Sequence, residues 1–165
     1  MIEHAFDTVV VRFGGEIGIK AEWTRRLYER RLLTNIKAVL RHYSISDARL
    51  FRKFGRLYIK TNRAEEAADK LAKVFGVSSL SPALETGSNL SSILDASTGL
   101  ARSRFKARKS FAVRCRRVGK HPYSSQDVCQ NVGRELLTRL PQLNLRVDLS
   151  NPRQTLHIEI REDKA

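Results

Sequence analysis

Apolar positions change their period several times along the chain, and each change marks an element. Residues 8–13, Thr8-Val9-Val10-Val11-Arg12-Phe13, form a β-branched run that stops at Gly14-Gly15, which predicts a strand followed by a turn. From 21 to about 43 the spacing becomes helical, with Trp23, Leu27, Leu33, Ile36, Val39 and Leu40 recurring between arginines. Segments 49–54 and 56–61 read as short strands around Gly55, a hairpin signal. Asn62 is suited to cap a helix over 64–72, with Gly76 beyond its end. Residues 77–84 read as a strand, and the resulting order β-α-β-β-α-β is the ferredoxin-like arrangement.

The second half opens with Asn89 as N-cap of a helix carrying Leu90, Ile93, Leu94, Leu100 and Phe105. Residues 111–118 alternate as a strand, so Phe111, Val113 and Cys115 share one face while Arg114 and Arg116 share the other. After a loop at 119–123, Ser124 and Asp127 have capping-box spacing. Val128, Val132, Leu136 and Leu140 line one face of the helix that follows, and Pro141 stops it. Two more strands are expected, at 145–149 and at 155–162, separated by the Asn151-Pro152 turn. The polar ending Glu162-Asp163-Lys164-Ala165 looks like half a hairpin, so a further strand is expected to follow. The fold class is α+β, sandwich-like, with domains at 1–80 and 81–165 and a small Ser-Pro to Thr-Gly-Ser boundary cluster at 81–88.

Charge alters this picture more than size does. The 165 residues carry 31 Lys and Arg against 17 Asp and Glu, a net charge of +14 with a pI near 10.5, which makes a polyanion the leading partner. Residues 1–80 hold 16 basic and 9 acidic side chains and residues 81–165 hold 15 and 8, so no basic tail hangs from a neutral body. Between Asp95 and Asp127 there are nine cations and no acid: Arg102, Arg104, Lys106, Arg108, Lys109, Arg114, Arg116, Arg117 and Lys120. No apolar run nears the roughly 20 residues of a membrane span, and neither a secretory signal nor a lipidation motif is legible, so a cytoplasmic protein without a membrane partner is expected.

Chemistry of the catalytic kind is sparse. Gly14-Gly15-Glu16-Ile17-Gly18 follows a strand but lacks the Lys-Ser/Thr ending of a phosphate loop and the full dinucleotide spacing. Cys115 sits among arginines yet on the apolar face of its strand, where a small buried hydrophobe is the better reading, and Cys129 has no partner near it in sequence. Two cysteines exclude a disulfide scaffold and a Cys-based zinc site, and His4, His42, His121 and His157 have no metal-ligand spacing. The expectation is a binding module with no catalytic residue, no metal and no cofactor of its own.

Two segments resemble a known family. Gly15-Glu16-Ile17-Gly18-Ile19-Lys20, followed by Arg25, Arg26 and Leu33-Thr34-Asn35-Ile36, is similar to the opening of the tRNA 4-thiouridine synthetases, the ThiI family. Residues 111–128, with Phe-Ala-Val-Arg, a Lys-His loop at Lys120-His121 and Ser124-Ser125 at a helix start, resemble the core of its THUMP domain. The resemblance implies an N-terminal ferredoxin-like domain followed by a THUMP domain that holds the acceptor stem and 3′ CCA end of a tRNA. The whole enzyme would adenylate a uridine and replace its oxygen with sulfur, a role in thiouridine biosynthesis that the family shares with thiamine biosynthesis. ATP and Mg are implied only for a catalytic ATP-pyrophosphatase domain, whose Ser-Gly-Gly-x-Asp-Ser loop does not occur here.

The RNA-binding candidates follow. Arg114 and Arg116 are projected together by strand alternation, and guanidinium forks pair bidentately with phosphate. Arg117, Lys120 and His121 lie in and beside the loop, while Ser124 and Ser125 offer hydroxyls and N–H groups at a helix start, or cap that helix. His121 reads equally as a phosphate or base contact and as a loop-ordering hydrogen bond. In the first domain, Lys20, Arg25 and Arg26 are candidates by motif, with Lys53 and Arg56 flanking the hairpin. Two other readings compete: a general duplex RNA- or DNA-binding protein with no processing role, and a module whose basic face docks an acidic protein. Dimerisation, as a homodimer, is left open by the sequence.

Overall fold

In the computed structural model, which describes residues 6–14, 21–53 and 55–165, the first β-branched run forms strand β1 (Thr8–Phe13). It is followed by helix α1 (Glu22–His42), strands β2 (Arg49–Lys53) and β3 (Arg56–Lys60), helix α2 (Ala64–Leu71) and strand β4 (Val77–Ala83). All pairings in this sheet are antiparallel, in the order β2-β3-β1-β4, which is the ferredoxin-like topology the sequence predicts. Val9 and Val11 with Leu57 and Ile59 turn to one face, where Leu32, Ile36 and Leu40 of α1 and Ala64, Ala67, Ala68 and Leu71 of α2 cover them. The tight hairpin needs Gly55, whose φ of +71° is reached easily only without a Cβ.

The expected cap of α2 is different. Arg63, not Asn62, occupies the N-cap position and has no side-chain cap. The carboxylate of Asp47 instead accepts from the Asn62 backbone N–H at 2.8 Å and from the Thr61 hydroxyl, whose oxygen accepts from the Arg63 N–H at 3.2 Å. Gly76, with φ of +92°, turns the chain into β4 rather than ending α2, and its carbonyl accepts from the Gly14 N–H. Strand β4 runs past residue 80 to Ala83, and the chain divides into two compact units at Leu84 and Glu85.

The second unit comprises helix α3 (Leu90–Arg104), strand β5 (Ser110–Val118), helix α4 (Ser125–Arg139), a 3-10 turn (Pro141–Leu143), and strands β6 (Arg146–Val147) and β7 (Gln154–Arg161). Asn89 caps α3 by accepting from the Ser92 N–H at 2.8 Å, and Ser124 and Asp127 complete a reciprocal capping box at α4. Its sheet is parallel throughout, ordered β6-β5-β7, with β5 in the centre. Phe111, Val113, Leu156, Ile158 and Ile160 pack under Ile93 and Ala101 of α3 and Val128, Val132 and Leu136 of α4. The strand expected over 145–149 shrinks to two residues, because Asp148 accepts the N–H groups of Ser150 and Asn151 and turns the chain away. After β7, Lys164 bridges back to Arg161 and to Gly87, and Ala165 exchanges backbone hydrogen bonds with Thr86.

Candidate nucleic-acid interface

The nine-cation stretch is distributed along β5 and beyond both of its ends, and the ends behave differently. At the start, Arg104, Lys106, Arg108, Lys109, Ser110, Arg146, Arg153 and Gln154 line an open cleft of about 580 Å³. Parallel pairing builds it: Ser110 lies beside Arg146 of β6, and Phe111 lies beside Gln154 of β7. The walls are fixed by backbone contacts. Lys106 N–H donates to Gln154 Oε1 at 2.9 Å while Gln154 Nε2 donates to the Lys106 carbonyl, and Arg108 N–H donates to the Leu143 carbonyl at 2.8 Å. Arg108 itself is held at φ of +59°, a conformation a non-glycine residue adopts at a cost and one that sets the direction of its side chain.

Among the described residues, no carboxylate lines this cleft. Most acids of the second unit are engaged elsewhere: Asp95 and Glu135 with Arg139, Glu159 with Arg161, Glu85 with Lys164, and Asp127 with the start of its own helix. Asp148 lies within electrostatic reach of Arg146. Its carboxyl is held below the usual range first by the Asn151 N–H, and Arg146 adds to the effect. Six cations thus face a common space without a counter-charge in its lining, which is the electrostatic footprint of an anion site.

Along the strand the alternation holds. Arg114 and Arg116 are exposed on the face away from the helices, next to His157 and Glu159 of β7. Arg114 donates to the Leu149 carbonyl at 2.5 Å, so it steadies the 148–153 segment as well as facing solvent. At the far end, the same alternation turns Arg117 toward the helices. Its Nη1 donates to the Gly119 carbonyl at 2.9 Å and lies 3.5 Å from His121 Nδ1. His121 Nε2 lies 2.7 Å from the Glu162 carbonyl, which can only accept, so Nε2 carries the proton in that bond. The imidazole also stacks on Tyr123, with ring centres 5.5 Å apart. In this arrangement His121 orders the loop, and Lys120 stands exposed beside it.

Ser124 is exposed but spends its hydroxyl oxygen on the Asp127 N–H at 3.1 Å. Ser125 turns inward to Cys115. Burial raises the Cys115 and Cys129 thiols above their ordinary value, which fits small packed side chains rather than nucleophiles. In the first unit, Arg26 pairs with Glu22 one turn earlier, and Arg25 lies 4.0 Å from the buried Glu29, which Arg52 engages at 2.6 Å. Lys53 and Arg56 face each other across the β2–β3 hairpin. Lys20 and its motif lie outside the described residues. Among the described residues, no three His, Cys, Asp or Glu side chains gather as metal ligands, and no helix is long and apolar enough to cross a membrane.

Sequence reasoning marked four of the cleft cations only as members of a charged run and missed Arg146 and Arg153 altogether. Those two arrive from some 40 residues away, through parallel crossovers that leave no local pattern.

Comparison with known proteins agrees with both halves. The family model of the ThiI ferredoxin-like domain matches residues 8–81 and that of the THUMP domain residues 87–165. A probable tRNA sulfurtransferase of Methanothermobacter thermautotrophicus is 36% identical over 96% of this chain, and one of Methanosarcina acetivorans is 39% identical over 96%. The chain spans about 40% of the length of these curated relatives. Among solved structures, PH1313 of Pyrococcus horikoshii superposes with a TM-score of 0.81 at 34% identity, covering 96% of this chain and 52% of that one. A 4-thiouridine synthetase crystallised with RNA and ATP shares the fold, with a TM-score of 0.77 at 22% identity over 96% of this chain and 39% of that one. As a ThiI ferredoxin-like domain followed by a THUMP domain, the chain belongs to the ThiI family.

Proposed function

We propose that this chain is the tRNA-holding part of a tRNA sulfurtransferase and grips the acceptor end of its substrate through the THUMP domain. The observation that carries this reading is the cleft at the start of β5, where Arg104, Lys106, Arg108, Lys109, Arg146 and Arg153 converge with no carboxylate in the lining. Duplex RNA presents phosphates and 2′-hydroxyls, and only its ends and loops offer unpaired bases. A cationic cleft with one Ser and one Gln among its walls fits a terminal, single-stranded segment. Arg114, Arg116 and Lys120 then extend the contact along β5, whose nine residues span about 26 Å. Arg117, His121, Ser124 and Ser125 act one step back, holding the loop and helix start from which Lys120 projects. Sulfur transfer, with its ATP and Mg, falls to the part of the relatives that this chain does not span.

The test is an Arg108→Ala/Arg153→Ala double variant titrated with tRNA at several salt concentrations. The expected result is weaker binding and a log–log salt slope flatter by about one per arginine removed. A folded double variant with unchanged affinity and slope contradicts the assignment of the cleft.

A further inference from the structure

The four-stranded sheet of the ferredoxin-like domain keeps both of its helices on one face, the face of Val9, Val11, Leu57 and Ile59. Alternate residues therefore point the other way, and the strand register arranges them in rows. Phe51 lies opposite Tyr58, Tyr58 opposite Val10, and Val10 opposite Ser81, forming one row across the whole sheet. On one side of it run Arg49, Lys60, Thr8 and Ala83; on the other, Lys53 pairs with Arg56 and Arg12 with Ser79. Two aromatic rings are thus bracketed by five cations. On this face Phe51 is 51% exposed and Tyr58 and Val10 are half-buried, while Thr8, in the next row, is buried, so the accessible part lies at the β2–β3 edge. Among the described residues, Asp7 lies at the margin, 3.6 Å from Lys60, and Arg12 donates to Ser81 Oγ at 2.8 Å.

We propose that the β2–β3 side of this face is a second RNA-binding surface, which stacks unpaired bases on Phe51 and the exposed part of Tyr58 and holds their phosphates with the flanking cations. It lies outside the acceptor-end reading of the THUMP domain and stands whether or not that reading does. Charge complementarity selects the occupant. Rings without cations would suit an apolar protein partner, and cations without rings would suit any phosphate backbone. Rings directly opposite each other on paired strands, about 5 Å apart at Cβ, with cations in the rows before and after, match a strand whose bases and phosphates alternate. A duplex keeps its bases stacked and offers the rings nothing, so the ligand is single-stranded RNA. The alternative is a cross-strand aromatic pair that only steadies the hairpin.

The experiment uses the full chain and two fluorescein-labelled probes of equal charge: hexaadenylate and an abasic ribose-phosphate hexamer. Unaltered protein is expected to prefer hexaadenylate by tenfold or more, the range that stacking of one or two bases provides. A Phe51→Leu/Tyr58→Leu variant, which keeps both positions apolar and whose fold is checked by thermal melting, is expected to lose that preference while its salt slope stays. An Arg108→Ala/Arg153→Ala variant is expected to weaken both probes in parallel, because the THUMP cleft grips phosphate, so the ratio between the probes separates this face from that cleft. No preference for bases in the unaltered protein, or a preference that survives in the leucine variant, overturns the proposal. Should the leucine variant fail to fold, photo-cross-linking of a 5-iodouridine hexamer to the unaltered chain decides instead. Cross-links at Phe51 or Tyr58 support the stacking face, and cross-links confined to other residues refute it.

Discussion

Ser124 shows how one side chain can satisfy two expectations unequally. Its hydroxyl oxygen accepts the Asp127 N–H, while its own N–H donates to Asp127 Oδ2 at 2.7 Å, so the helix start consumes the groups that a phosphate would use. Ser124→Ala is therefore expected to cost about 1 kcal/mol of stability, and Ser124→Asn, which can cap, to restore most of it. RNA affinity should follow neither change once folding is controlled for; denaturant melts and a tRNA titration of both variants check this. The cysteines give a second residue-scale expectation. Burial raises both thiols, so alkylation by iodoacetamide near pH 7.5 should be slow in the folded chain and rapid after denaturation, read by mass shift. At this scale alternation was informative but incompletely applied. The same period that sends Arg114 and Arg116 outward sends Arg117 inward, where it braces the loop.

Elements were legible where their signals are local. The β-branched run of β1, the Asn89 cap, the capping box at Ser124 and the Pro141 stop each act within a few residues, and each is found where the pattern puts it. The cap of α2 was not, because Asp47 reaches it from a different loop, 15 residues away from Asn62. The cleft at β5 was not for the same reason: register in a parallel sheet depends on crossovers, and nothing near Arg146 or Arg153 announces their neighbours. Carboxylates that tie such junctions set the acid limit of the fold. Asp47 is held below its ordinary value of 3.8, first by the Asn62 N–H and then by the Thr61 hydroxyl. Asp127 and Asp148 are lowered by backbone N–H groups in the same way. Because the folded-state values are depressed, this stabilisation is complete above the ordinary Asp value and is lost as pH falls through the lowered ones. Thermal midpoints measured from pH 6 down to 2.5 are expected to drop in that acid window, and Asp47→Asn to show a shallower drop. An identical acid limb in the variant would remove Asp47 from the account.

For the whole molecule the +14 charge was the plainest signal in the sequence, and by itself it distinguishes none of the polyanions. What the fold adds is placement. The second unit pairs most of its acids with Arg139, Arg161, Lys164 and helix or turn N–H groups, and gathers six cations around one cleft. A charge that is merely solvating would be spread evenly; one that is gathered at the end of a central strand suits the proposed ligand, an RNA end. That is the claim most open to refutation, since a general duplex binder would gain nothing from a terminus. The most direct measurement is a titration of this chain with intact tRNA, with the same tRNA lacking its 3′ CCA, and with a plain RNA duplex, each at two salt concentrations. The account predicts that removing the CCA weakens binding tenfold or more, about 1.4 kcal/mol, at both salts. Equal affinity for all three RNAs, fading together as salt rises, would contradict it and leave only charge.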